Sequence, residues 1–370
     1  MNYLLVNELV ERTRHMCKDK CSLLSTKNKK FYMSQIPISI ITGFLGSGKT
    51  TLLSKLLNSD DMQNTALIIN EFGEIGIDNL LVKSSVENTL LLENGCVCCS
   101  IRGDLSDTIS GLFAQSDNGD IPRFDYIIIE TTGLAQPGPI VQTIKSDISL
   151  NTRCEFDKVI TVVDCISLNH QIKQFEEPVT QIIQADFIYL SKTDIAKTQD
   201  IKNTHDIITS INSSALVKND INSKLLRTPL EINSKQFECF LCSDGSHNHQ
   251  IENDHSSHLS NHSFEHSDHL LKFKNWSLNS EKPINKKAFK QWLASLYSLY
   301  PLSILRLKGF VNFENNEGQY LIQAVGPIIT EIKLNEDNQQ FSALVFIFKD
   351  IEIKKLQKSY ELQVLRPKYI

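Results

Sequence analysis

Gly43-Phe44-Leu45-Gly46-Ser47-Gly48-Lys49-Thr50 sets three glycines, a lysine and a threonine between an apolar run at 38–41 and a helical pattern that continues from Thr51. This is the spacing of a phosphate-binding loop between a strand and a helix. Gly43, Gly46 and Gly48 let the backbone wrap closely around a phosphate chain. The N–H groups of the loop, Ser47 and Thr51 included, and the positive end of the following helix attract negative charge. Lys49 is spaced to reach the β- and γ-phosphates, and Thr50 to put a hydroxyl on Mg²⁺.

Two further stretches extend that chemistry. Tyr126-Ile127-Ile128-Ile129-Glu130 is an apolar run ending in an acid, followed by Thr131-Thr132-Gly133. An acid at a strand tip beside the loop is suited to Mg²⁺, and Gly133 offers an N–H to a γ-phosphate, so 133–139 reads as a switch that senses hydrolysis. Ser191-Lys192-Thr193-Asp194 follows the apolar run 187–190. Guanine presents N1–H and N2–H side by side, and the Asp194 carboxylate can accept both; adenine has no such pair. The Lys192 stem is long enough to pack over the base. The predicted nucleotide is therefore GTP, with Lys49, Thr50, Glu130 and Gly133 as the hydrolytic set.

Soft-ligand residues form a second group. Gly95-Cys96-Val97-Cys98-Cys99-Ser100 brings three thiols into four positions. Thiolates suit Zn²⁺, but a tetrahedral site needs another ligand, and small thiols packed in a turn are an equal alternative. Cys239-Phe240-Leu241-Cys242 precedes a polar tract holding His247, His249, His255, His258, His262, His266 and His269, seven of the chain's ten histidines. The irregular spacing predicts a mobile metal-collecting tract rather than a fixed site. A polar segment of this composition cannot bury enough surface to order itself, so a flexible linker is expected.

The elements that must position these residues follow from patterning. The chain has 370 residues, 41% hydrophobic and 22% charged, and a formal net charge of −5. That composition is ordinary for a globular protein, and the lack of a basic block argues against nucleic acid. No apolar run is long enough to span a membrane, and the first 30 residues have no continuous apolar core. Nine cysteines in such a chain read as thiols in a reducing compartment, so a cytoplasmic protein is expected. Apolar runs at 38–41, 66–69, 89–92, 126–129, 159–163 and 187–190 are short and apolar on both faces, as in parallel strands covered by helices. Helical patterns lie between them, for example at 51–57, 104–113 and 180–184. The expected fold is an α/β, doubly wound, mostly parallel sheet of P-loop NTPase type. After the tract, runs at 270–278, 304–313, 318–325 and 342–348 read as strands, and 285–299 and 351–362 as helices. Phe289, Trp292, Leu293 and Leu296 line one helical face. A smaller C-terminal α+β domain is expected. The boundaries read as 1–35 for a disordered extension with Met33 as an alternative start, 36–235 for the nucleotide domain, 236–269 for the His-rich linker and 270–365 for the last domain.

Together the stretch 43–51, Asn70-Glu71-Phe72-Gly73-Glu74, the cysteine trio, residues 130–137 and 191–194, and Arg306-Leu307-Lys308-Gly309-Phe310 resemble the CobW-type family of P-loop GTPases. The likeness covers about 36–365 and is nearest the family's bacterial YjiA-like branch of zinc metallochaperones. It implies GTP hydrolysis coupled to the binding and transfer of Zn²⁺ or Co²⁺ to a client metalloprotein, with homodimerisation as a further possibility. It also implies that the trio binds the metal, Cys98 foremost, with Glu74 as a carboxylate ligand. Some members carry an acid just before Asn70, where this chain has Ile69, so a ligand is expected instead from Cys96, Cys99, Glu71 or a partner subunit. The rival readings are a metal store tuned by GTP and a cobalamin-pathway or metalloenzyme maturation factor.

Overall fold

The computed structural model describes residues 35–57, 59, 62–69, 81–82, 89–92, 97–100, 104–222, 226–228, 272–315, 318–334 and 341–366. The extension, the Asn70–Glu74 motif, Cys96, the Cys239/Cys242 pair and the histidine tract lie outside them. Among the described residues no helix is long and apolar enough to cross a membrane.

The first sheet has nine strands. In chain order they are β1 (Ile36–Thr42), β2 (Thr65–Ile69), β3 (Leu81–Val82), β4 (Thr89–Leu92), β5 (Val97–Ser100), β6 (Tyr126–Glu130), β7 (Cys154–Asp164), β8 (Phe187–Ser191) and β9 (Leu216–Lys218). Their spatial order is β3-β4-β5-β2-β6-β1-β7-β8-β9. The central strands β5, β2, β6, β1, β7, β8 and β9 pair in parallel. The inner strands β2 and β6 are buried on both faces along their whole length, Thr65–Ile69 and Tyr126–Glu130, because helices cover each side. The helices are α1 (Lys49–Leu57), α2 (Leu105–Asn118), α3 (Pro137–Ser146), α4 (Ile148–Arg153), α5 (Leu168–Gln174), α6 (Glu177–Gln184) and α7 (Thr198–Ile211). Local chemistry sets their ends. The Asp104 carboxylate accepts from the Ser106 N–H ahead of α2, and Gly119 closes that helix in the left-handed region.

One expectation for this sheet needs correcting, and one strand was not foreseen. The run 89–92 is a strand, but it is antiparallel to its neighbours. Cys98 and Cys99 occupy β5, a strand that patterning did not predict.

The second sheet is antiparallel, in the order β10 (Phe273–Ser280), β14 (Ser342–Lys349), β11 (Ile304–Phe313), β12 (Gly318–Val325) and β13 (Ile328–Lys333). Helices α8 (Lys286–Leu299) and α9 (Ile353–Tyr360), the latter running into a π turn at Glu361–Leu365, cover one face. Phe289, Trp292, Leu293 and Leu296 of α8 are buried there, as their spacing requires. Burying each such side chain contributes roughly 1.5–3 kcal/mol. Gly309 is obligatory in β11: its φ is 155° and a Cβ would lie 2.0 Å from the Ala343 carbonyl oxygen.

The other face packs against the first sheet's helices. Val179, Ile182, Ile183, Ile207 and Ile208 share one core with Leu305, Phe310, Val345 and Ile347. Within it Asp186 meets the Arg306 guanidinium and, at 3.5 Å, the Lys308 ammonium. Its second carboxylate oxygen accepts from the Val159 N–H. Burial pushes the Asp186 carboxyl up, but the two cations outweigh it and hold it below the usual carboxylate range. Asp186→Ala leaves two buried cations uncompensated, so urea unfolding should show a loss of about 3–5 kcal/mol. Because the folded carboxyl is more acidic than the unfolded one, its contribution is full above about pH 4 and is lost as pH falls below that. The variant should therefore lose the part of the acid-unfolding profile that this carboxylate supplies.

Candidate functional site

The loop after β1 is built as its residues require. Gly43, Gly46 and Gly48 have φ of 146°, 69° and 95°. At Gly43 a Cβ would stand 2.3 Å from the Val162 carbonyl oxygen, so only glycine fits. The Ser47 N–H donates to the Phe44 carbonyl, tightening the turn into α1. Thr50 lies in the first turn of α1 and Thr51 follows it, exposed. The Lys49 ammonium lies 2.8 Å from the Gly43 carbonyl oxygen and 3.3 Å from that of Phe44, at the loop itself.

Glu130 ends β6 beside that loop. It is register partner to Ile41 on one side and Ile69 on the other, and it is 6% exposed. The Thr131 N–H donates to the Ile41 carbonyl, and its hydroxyl bonds Thr42. A buried carboxylate and the Thr50 hydroxyl at the mouth of a glycine loop form a donor set of hard oxygens that fits Mg²⁺. Gly133 follows directly against Leu45: a Cβ there would lie 2.5 Å from Leu45 Cδ2 and 2.8 Å from its backbone nitrogen.

The stretch 191–194 reaches the same mouth from β8. The Ser191 hydroxyl donates to the Ser47 carbonyl at 2.6 Å and lies 3.2 Å from that of Val163. It ties the stretch 191–194 to the glycine loop, a contact invisible from four residues of sequence. Lys192 is in the left-handed region at φ 58°, and its ammonium lies 2.7 Å from the buried Asp164. Asp164 also accepts from the Ile166 N–H and the Ser167 hydroxyl. Burial pushes its carboxyl up, but these hydrogen bonds and the Lys192 charge hold it below the usual range. Asp164 was not legible as a site residue, because its partner is 28 positions away. Asp194 is exposed in the turn after Lys192.

The cysteine strand belongs to the same sheet. Cys98 is register partner to Leu67, Cys99 to Ile68 and Ser100 to Ile69, and Ile69 is in turn opposite Glu130. Strands are about 4.8 Å apart, so the end of β5 and Glu130 are separated by roughly 10 Å of sheet. Cys96, Glu71 and Glu74 fall outside the described residues. Among the described residues no group of three His, Cys, Asp or Glu side chains could hold a metal ion.

A glycine loop between β1 and α1, an acid at the tip of the adjacent strand and a turn from the end of β8 bonded to that loop are the arrangement of a P-loop GTPase. Residues 37–219 match the CobW/HypB/UreG nucleotide-binding domain, and residues 273–361 match the cobalamin synthesis protein cobW C-terminal domain. The chain belongs to the CobW family. It is 40% identical over 185 residues to the zinc chaperone YjiA of Escherichia coli, a stretch covering 50% of this chain and 57% of YjiA. It is 27% identical over 343 residues to zinc-regulated GTPase metalloprotein activator 1 of Schizosaccharomyces pombe, covering 84% of this chain and 80% of that protein. The crystal structure of Zn(II)-bound YjiA GTPase from E. coli superposes with a TM-score of 0.67 at 27% identity, covering 88% of this chain and 98% of that one.

Proposed function

We propose that this protein is a GTPase that binds a divalent transition metal, Zn²⁺ or Co²⁺, and delivers it to a client metalloprotein. The proposed division of labour is a nucleotide domain at 36–235, a His-rich linker at 236–269 and a C-terminal domain at 270–365. GTP is held by Gly43, Gly46, Ser47, Gly48, Lys49, Thr50 and Thr51 at its phosphates and by Lys192 and Asp194 at its base. Thr50 and Glu130 hold Mg²⁺, which supplies charge for the transferred phosphoryl group. Cys96, Cys98, Cys99 and Glu74 take up the cargo metal. A cytoplasmic setting and a homodimer fit this reading, with nucleic acid and membrane playing no part.

One observation carries the coupling of the two activities: Ser100 and Glu130 are both register partners of Ile69. A shift of the switch beside Glu130 is thus two strands from the cysteine strand. The relatives named zinc chaperone and zinc-regulated GTPase metalloprotein activator, and the Zn(II)-bound YjiA structure, support zinc as the cargo. Base choice is tested at Asp194. Asp194→Asn should weaken GTP binding by roughly a hundredfold, the loss of a charged hydrogen-bonded pair, and favour xanthine nucleotides. Competition binding with GTP, ATP and XTP measures it; equal binding of ATP and GTP by the unsubstituted chain contradicts the assignment.

A further inference from the structure

The stretch after Glu130 is held from behind by one side chain. Gln181, in the middle of α6 and fully buried, donates from its amide nitrogen to the Gly133 carbonyl at 3.0 Å and to the Ala135 carbonyl at 3.0 Å. Carbonyls only accept, so the NH₂ must face them, and the amide orientation is fixed. Its own Oε1 is buried and meets no donor among the described residues. One turn on, the Gln184 Oε1 accepts from the Gly138 N–H at the start of α3. The helix that carries both glutamines is itself fixed. Its Gln181 carbonyl accepts from the Thr161 hydroxyl of β7, and Val179, Ile182 and Ile183 pack into the core shared with the second sheet.

In a trans peptide the carbonyl and the following N–H point in opposite directions. With the Gly133 and Ala135 carbonyls turned toward Gln181, the Leu134 and Gln136 N–H groups face away from it. Turning one of these peptides over would present its N–H to the idle Oε1 and withdraw a carbonyl from the NH₂. Gly133, without a Cβ and seated against Leu45, is the residue at which such a turn-over meets least resistance. A buried amide with both donors used and its acceptor idle is thus matched to two backbone arrangements.

We propose that Gln181 is the positioning residue of the nucleotide switch, holding 133–135 in the described arrangement and receiving a backbone N–H from the same stretch in a second one. The proposal rests on the GTPase reading for its consequence in turnover, but not for the clasp itself. It also gives the second sheet a lever on hydrolysis, since α6 packs against β11 and α3 against β12 and β13.

Gln181→Met keeps the side chain's length and removes both donors and the acceptor. In the full chain without nucleotide, hydrogen exchange at 133–138 should quicken by about tenfold, with the remaining amides unchanged. Unchanged exchange there overturns the clasp, whatever the chain does with GTP. In turnover, kcat should fall about tenfold while GDP affinity stays within about twofold, because the guanine and β-phosphate contacts lie elsewhere. An equal loss in GDP affinity and kcat overturns the positioning role. A wild-type chain that does not turn over GTP overturns the GTPase reading instead, and the exchange result still decides the clasp. Should Gln181→Met fail to fold, Gln181→Glu takes its place. Its buried carboxyl protonates readily and then donates one bond, not two, so both readouts should fall between wild type and full loss. Wild-type behaviour in that variant also overturns the proposal.

Discussion

Lys49→Ala should give a folded chain that hydrolyses GTP at least about a hundredfold more slowly than wild type, from loss of a cation aimed at charge that develops in the transition state. Folding should survive because the Lys49 ammonium bonds to carbonyls of the loop itself, those of Gly43 and Phe44, and Lys49 is not among the buried core residues. Those carbonyls are the ground-state partners that a β- and γ-phosphate would displace. Steady-state phosphate release, with the melting temperature as a control, measures the effect. Turnover at the wild-type rate with an unchanged melt would mean that this loop is not where hydrolysis occurs.

Cys98→Ser should weaken tight Zn²⁺ binding by at least about a hundredfold while GTP binding stays intact. A serine hydroxyl barely ionises at neutral pH, whereas the metal requires the thiolate. For the same reason, wild-type affinity should fall as pH drops below the ordinary thiol range near 8.5, and binding should release protons. Seven histidines in the tract could bind zinc weakly and hide the loss. The comparison is therefore made in a chain lacking 245–268, which removes six of the seven, by competition with a chelator. Equal zinc affinity with and without the substitution would make the cysteines packing residues of β5.

The parts of this molecule that sequence patterning revealed are those set by local rules. Continuous apolar runs such as 126–129 and 159–163 had to be buried strands, and the spacing of Phe289, Trp292, Leu293 and Leu296 had to be one helical face. Direction is a different matter. Residues 89–92 form the expected strand, yet nothing in four apolar residues encodes that β4 runs antiparallel to β5. The strand Val97–Ser100 was hidden because three of its four residues, two cysteines and a serine, carry ligand chemistry rather than a clear β pattern. The strand Ile328–Lys333 was hidden because its second half is exposed and charged.

Of the candidate site, the phosphate loop, Glu130, Gly133 and the turn around Lys192 were legible as motifs. Their supports were not. Ser191 bonds Ser47 across 144 positions, and Gln181 bonds Gly133 across 48. Arg306 and Lys308 look like surface charges in a strand, and only the fold reveals that they are buried on Asp186. Long-range hydrogen bonds of this kind depend on topology, which local periodicity does not carry.

The proposed coupling links nucleotide state and metal grip through the sheet. The direct measurement is the zinc dissociation constant of the intact chain in GDP and in a non-hydrolysable GTP analogue. At least about a fivefold difference between the two states is expected, and, by reciprocity, the same factor between analogue-over-GDP preference with and without zinc. Identical zinc affinity in both nucleotides, with an analogue preference that zinc leaves unchanged, would contradict it.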